Sequence, residues 1–172
     1  MSAKLTKLLQ KKKTTIIKQW FDMVIDTYPP DTSRFIKGQK DPFANPVGNT
    51  TFEGLQTLFD ALFDDMNREA IVSSLDPIIR IRAIQDFTPS KAISFIFSLK
   101  KIIREIANKE FPDDQVADEL FLMDSKIDNL GMIGFDIYME CREKLYEIKS
   151  NEFRNRTYSA FERAGLLKQD CC

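Results

Sequence analysis

Ile79-Arg80-Ile81-Arg82-Ala83-Ile84-Gln85-Asp86-Phe87-Thr88-Pro89-Ser90-Lys91 holds the end of one helix, a tight corner and the start of the next. Ile78, Ile81 and Ile84 recur at helical spacing, with Arg80, Arg82 and Asp86 set beside them. Thr88-Pro89 is a helix-start signal. The hydroxyl suits an orphan backbone N–H, and proline at the first helical position gives up a donor that has no partner there. Arginines two positions apart point in different directions on a helix, so one of Arg80 and Arg82 is expected to be structural and the other exposed. A corner this well specified implies one fixed helical arrangement, and it names no reaction.

Helical signals extend in both directions from the corner. Leu5, Leu8, Leu9, Ile16, Ile17, Trp20, Phe21, Val24, Ile25 and Tyr28 form one helical face from about residue 3 to 28. Lys11, Lys12 and Lys13 interrupt it, so the first turns are expected to project from the core, and Pro29-Pro30 ends it. Residues 29–46 are the least regular stretch, with a short helix expected around Thr32–Lys37 and with Phe35 and Phe43 expected to pin the loop to the core. Asn45-Pro46 restarts a helix with Leu55, Leu58, Phe59, Leu62, Phe63 and Met66 on its apolar face. Asn67 caps a short segment with Ile71, Val72 and Leu75, and Asp76-Pro77 reads as the start of another helix leading to the corner. The helix from Pro89 to about Lys109 is apolar around most of its first half, so it is expected to be central.

The longest signal follows Phe111-Pro112-Asp113-Asp114. Leu120, Met123, Ile127, Leu130, Gly134, Ile137 and Cys141 alternate spacings of three and four, a heptad-like seam, and Leu145, Ile148 and Phe153 continue it among charges. A helix from 115 to 160 would be roughly 70 Å long at 1.5 Å per residue, more than a small domain's width. Its far end is therefore expected to project, fold back or pair with another chain. Leu130, Gly134, Ile137, Cys141, Leu145 and Ile148 are the candidate dimer or output positions. With no period-2 alternation, hairpin turn or internal repeat, the class is all-α: a single-domain bundle of five to seven helices over residues 1–165, followed by a flexible tail at 166–172.

Composition narrows the chemistry. The 172 residues carry no histidine, which removes the commonest general base and the commonest zinc and haem ligand. The three cysteines (Cys141, Cys171 and Cys172) form no disulfide framework and fit a reducing compartment. Glycines are scattered rather than gathered in a phosphate cradle, and Asp64-Asp65, Asp113-Asp114 and Asp118-Glu119 lack calcium-loop spacing. No catalytic residue, metal site or cofactor is expected. A net charge of −1 gives no reason to bind nucleic acid, and no apolar run is long enough for membrane insertion. The absence of a secretory signal points to the cytoplasm. Charge is uneven, however: residues 1–18 carry six lysines and no acid, and 110–128 carry seven acids and one lysine, expected as solvated faces that touch each other. The fourteen phenylalanines read as core, with an apolar ligand pocket as the alternative.

Four blocks in one order and spacing carry a family resemblance. They are Trp20…Thr27-Tyr28-Pro29-Pro30, Asp41-Pro42-Phe43-Ala44-Asn45-Pro46-Val47-Gly48, Ile79 through Ser90, and Phe135-Asp136-Ile137-Tyr138-Met139-Glu140-Cys141-Arg142-Glu143. Over about residues 5–155 the chain resembles the N-terminal domain of RsbRD-type RsbT co-antagonists. The resemblance implies an all-helical input module, of a kind that is globin-like and haem-free in related co-antagonists, with an output helix leading to a STAS domain. This chain ends soon after its long helix, which implies a stand-alone regulatory module without that domain. Stand-alone relatives in sulfate-reducing bacteria add the alternative of an accessory protein of sulfur-redox machinery.

Two readings follow. In the first, the chain is a non-enzymatic signal-input module that contacts protein partners, with itself as a homodimer first among them, through its C-terminal helix. In the second, it senses a small hydrophobic or anionic ligand near the 29–46 loop, with Tyr28, Phe43, Arg80, Arg82 and Asp86 as candidate contacts.

Overall fold

The structure, a computed structural model, describes residues 4–39, 41–85, 87–111 and 115–166. Among them lie seven helices and no strand: α1 (Lys4–Lys11), α2 (Lys13–Ile25), α3 (Pro30–Gly38), α4 (Pro46–Ala61), α5 (Arg68–Ile84), α6 (Pro89–Glu110) and α7 (Ala117–Arg163). The all-α class and the long C-terminal helix are as the periodicity predicts.

Five helices close a ring. α2 packs on α4, α4 on α5, α5 on α7, α7 on α6, and α6 back on α2, with α5 and α6 also meeting across it. Inside are the apolar stripes of these helices, including Trp20, Leu58, Phe59, Ile79, Phe95, Leu99, Ile127 and Leu130. Trp20 donates its indole N–H to the Phe95 carbonyl at 2.7 Å, so the buried ring leaves no polar atom unpaired. α1 lies against α2 and α6, and α3 against α2 and α4.

Several local expectations need correction. The first helix is not continuous to residue 28: it breaks at Lys12, and α2 ends at Ile25. The break turns α1 inward rather than outward, burying Leu5 and Leu9. Lys12 reaches Glu110 at 2.9 Å, and the Leu5 N–H donates to Glu119 Oε2 at 3.0 Å, so the basic N-terminus and the acidic stretch do touch. Asp76-Pro77 starts no helix, since Pro77 lies inside α5. The Asp76 carboxylate is held by Arg80 at 2.6 Å instead of capping, and α5 gives up only the one backbone bond that proline cannot donate.

The loop after α3 is not pinned by its phenylalanines. Phe43 is 96% exposed and Phe35 is also exposed. Asn45 does the pinning: its Nδ2 donates to the carbonyls of Ile36 (2.8 Å) and Gln39 (3.0 Å), while its Oδ1 accepts the Gly48 N–H at 3.0 Å. A side chain at Gly48 would sit 2.4 Å from that amide, so Asn45-Pro46-Val47-Gly48 needs its glycine.

Candidate functional site

Three of the four sequence blocks meet at the corner between α5 and α6. Arg82, the last-turn cation of α5, is 0% exposed. Its Nη2 donates to the Val24 carbonyl (3.0 Å) and to Thr27 Oγ1 (2.9 Å), and its Nη1 donates to the Lys91 carbonyl (3.3 Å). The guanidinium carbon sits 5.2 Å from the Tyr28 ring and 5.1 Å from each of the Phe87 and Phe95 rings. Such contacts reach about 2 kcal/mol or more when desolvated. Arg82 Nε is buried without a hydrogen-bond partner, and no carboxylate pairs with this cation among the described residues.

Burial sets the electrostatics. Desolvation lowers the Arg82 pKa, with Tyr28 opposing it. Desolvation likewise raises the Tyr28 phenol above its ordinary value, opposed by the Arg82 charge. Three rings and three oxygen acceptors enclose the cation, so Arg82 acts as a buried clamp on the chain's own backbone. Among the described residues no group of three or more histidines, cysteines or carboxylates is placed to hold a metal.

α7 joins the corner from the other side. Tyr138 donates its hydroxyl to the Phe87 carbonyl at 2.6 Å, and Arg142 Nη1 donates to the Ala83 carbonyl at 3.1 Å. Arg142 also caps the Tyr146 ring, with its carbon 5.2 Å from the ring centre. The corner thus binds together the end of α2, the end of α5, the start of α6 and the point where α7 leaves the body. Thr88 contributes less than its position suggests. It precedes Pro89 as the N-cap, but its hydroxyl makes no cap bond and lies 3.3 Å from Ser90 Oγ.

The candidate ligand residues do not form one site. Tyr28 and Arg82 stack, as expected of one structural arginine. Arg80 is on the solvent side of α5, paired with Asp76, and Phe43 stands out from the loop. Asp86 lies outside the described residues, as do Cys171 and Cys172.

The candidate partner residues divide as well. Leu130, Gly134, Ile137 and Cys141 are buried in the chain's own core, against α5 and α6; Leu145 is half-buried and Ile148 exposed. A side chain at Gly134 would stand 2.8 Å from Ile96 and 3.1 Å from Ile79, so this glycine serves close packing inside the body.

Reading by residue missed Trp20, Thr27, Phe95, Tyr138 and Arg142 as partners of the corner. Four of these five, Trp20, Thr27, Tyr138 and Arg142, stand in the blocks that carried the resemblance. Their shared location was the available signal. Residues 14–152 match the family model described as the RsbT co-antagonist protein rsbRD N-terminal domain. Neither a curated protein nor a solved structure matches the chain.

Proposed function

The chain belongs to the RsbRD N-terminal domain family, a family of stressosome-related signalling modules, and from that membership we propose that it is a non-enzymatic cytoplasmic input module acting through contacts along α7. The observation that carries this reading is the course of that helix. Its last buried residue is Cys141, yet it runs on to Arg163 with Tyr146, Ile148, Phe153, Tyr158 and Phe161 exposed. Large apolar side chains on a projecting helix are the usual mark of a contact surface. No described helix is long and apolar enough to cross a membrane.

The corner supplies the input side of the same reading. Arg82, Tyr138 and Arg142 couple three helix ends to the root of the projecting segment, so a rearrangement at any of them is felt there. The experiment compares the full chain with a Tyr146→Glu/Phe153→Glu/Phe161→Glu variant, by affinity capture from the native cell and by light scattering. The expected result is loss of bound protein, whether self or another chain, with helicity by circular dichroism retained. Equal recovery by both proteins would sink the reading.

A further inference from the structure

The heptad-like seam is used up inside the body, but α7 carries a second apolar stripe on the opposite side. Met132, Phe135, Met139, Tyr146, Phe153 and Phe161 are all exposed, with Met132 at 65% and Phe153 at 73%. At 3.6 residues per turn they share one flank of the helix, with Ser150 and Thr157 between them. The stripe crosses from the half of α7 that packs on the body to the half that projects, over ~44 Å at 1.5 Å per residue.

Charge changes sign along it. Residues 136–147 carry Asp136, Glu140, Glu143 and Glu147 against Arg142 and Lys144. Residues 149–163 carry Lys149, Arg154, Arg156 and Arg163 against Glu152 and Glu162. Two such helices laid parallel set acid against acid and base against base. Laid antiparallel, each basic half meets an acidic half, well within the ~8–10 Å screening length.

We propose that α7 pairs antiparallel with α7 of a second copy through this outward stripe, with Tyr146 at the two-fold axis, so that each projecting half lies along the partner's body half. The proposal rests on the reading that α7 is the contact surface, and it names the partner and the orientation. The side chains match in this register. Phe153 falls opposite Met139 and Thr157 opposite Phe135, while Phe161 falls opposite Gly131, one residue from Met132. The Met139 sulfur thus meets the Phe153 ring, a favourable contact. The stripe brings four aromatic rings from each copy, the residue type enriched at the centre of stable interfaces. It is also self-complementary, as a two-fold interface must be.

The test is oxidative cross-linking of the full chain with Cys171→Ser and Cys172→Ser, leaving the buried Cys141 in place. Tyr146→Cys, which meets its own copy, is expected to form a disulfide dimer. Phe153→Cys alone is expected to stay uncross-linked, and a mixture of Phe153→Cys with Met139→Cys is expected to form the mixed dimer. Each variant's helicity is checked by circular dichroism, and all three sites are exposed. Self-linking of Phe153→Cys as readily as Tyr146→Cys would show parallel pairing and overturn the proposal. So would a strict monomer by light scattering at tens of micromolar. A monomer that still captures another protein through α7 overturns this pairing and leaves the functional reading standing, whereas a monomer that captures nothing removes both.

Discussion

α7 is one helix with two lives. Up to Cys141 it is a core element, with Met123, Ile127, Leu130, Ile133 and Ile137 buried against α5 and α6. From Arg142 to Arg163 no residue is buried, yet the helix continues without interruption. Local pairs such as Glu152–Arg156 at 2.7 Å help, by only about 0.2–0.5 kcal/mol each. Most helical stability in proteins comes from tertiary packing, which this half lacks. The body supplies the costly nucleus, and the projecting half propagates from it. Tertiary packing decides the first half, and the second depends on what it meets.

The sharpest way to break this contrast is truncation of one large side chain in each half. Leu130→Ala should cost about 2–5 kcal/mol in denaturant unfolding, because it empties a packed site. Phe153→Ala should change the stability of the single chain by less than about 0.5 kcal/mol while weakening association. Equal losses in the two variants would mean that the halves are not distinct. Next in size is Tyr138→Phe, which removes the hydroxyl from the half-buried Phe87 carbonyl and should cost about 0.5–1.5 kcal/mol, the net worth of an ordinary hydrogen bond.

Of similar size is Gly134→Ala. The added methyl crowds Ile96 and Ile79, costing about 1–3 kcal/mol, against a helix-propensity gain of about 0.8–1 kcal/mol. A net loss near 1 kcal/mol is expected in thermal unfolding, and a gain would show that the close approach at Gly134 is dispensable. The smallest effect is on pH dependence. Burial raises the Tyr28 pKa, so its stabilising contribution is complete below the ordinary phenol value of about 10 and falls as pH rises through the folded-state value. Tyr28→Phe should flatten the alkaline limb of the stability profile, read by chemical denaturation between neutral pH and about 11.

Much of this arrangement was legible before any coordinates. Asn45-Pro46 and Thr88-Pro89 begin helices because the residues around each junction leave the backbone little choice. Asp76-Pro77 has the same surface form and misleads, because the Asp76 carboxylate has a better partner four residues ahead in Arg80. The seam from Leu120 to Cys141 shows the deeper limit. Heptad spacing states that a helix face is buried, not which molecule buries it. The outward stripe escaped notice because Ser150 and Thr157 dilute it and charged residues flank it. The corner was visible as a capped turn, but its buried cation was not: nothing in the spacing of Tyr28, Arg82, Phe87 and Phe95 says that three rings close on one guanidinium.

The uninterrupted backbone of α7 across Cys141 has a mechanical consequence. No proline lies within Ala117–Arg163, and no sharp break separates the segment clamped at Tyr138 and Arg142 from the segment beyond. The helix is therefore a lever with its fulcrum at the corner and an arm of ~33 Å at 1.5 Å per residue. A tilt of about 10° at the fulcrum sweeps the far end by roughly 6 Å, about one helical pitch. Such a tilt would displace the exposed Phe153 and Phe161 far more than the residues packed at the corner.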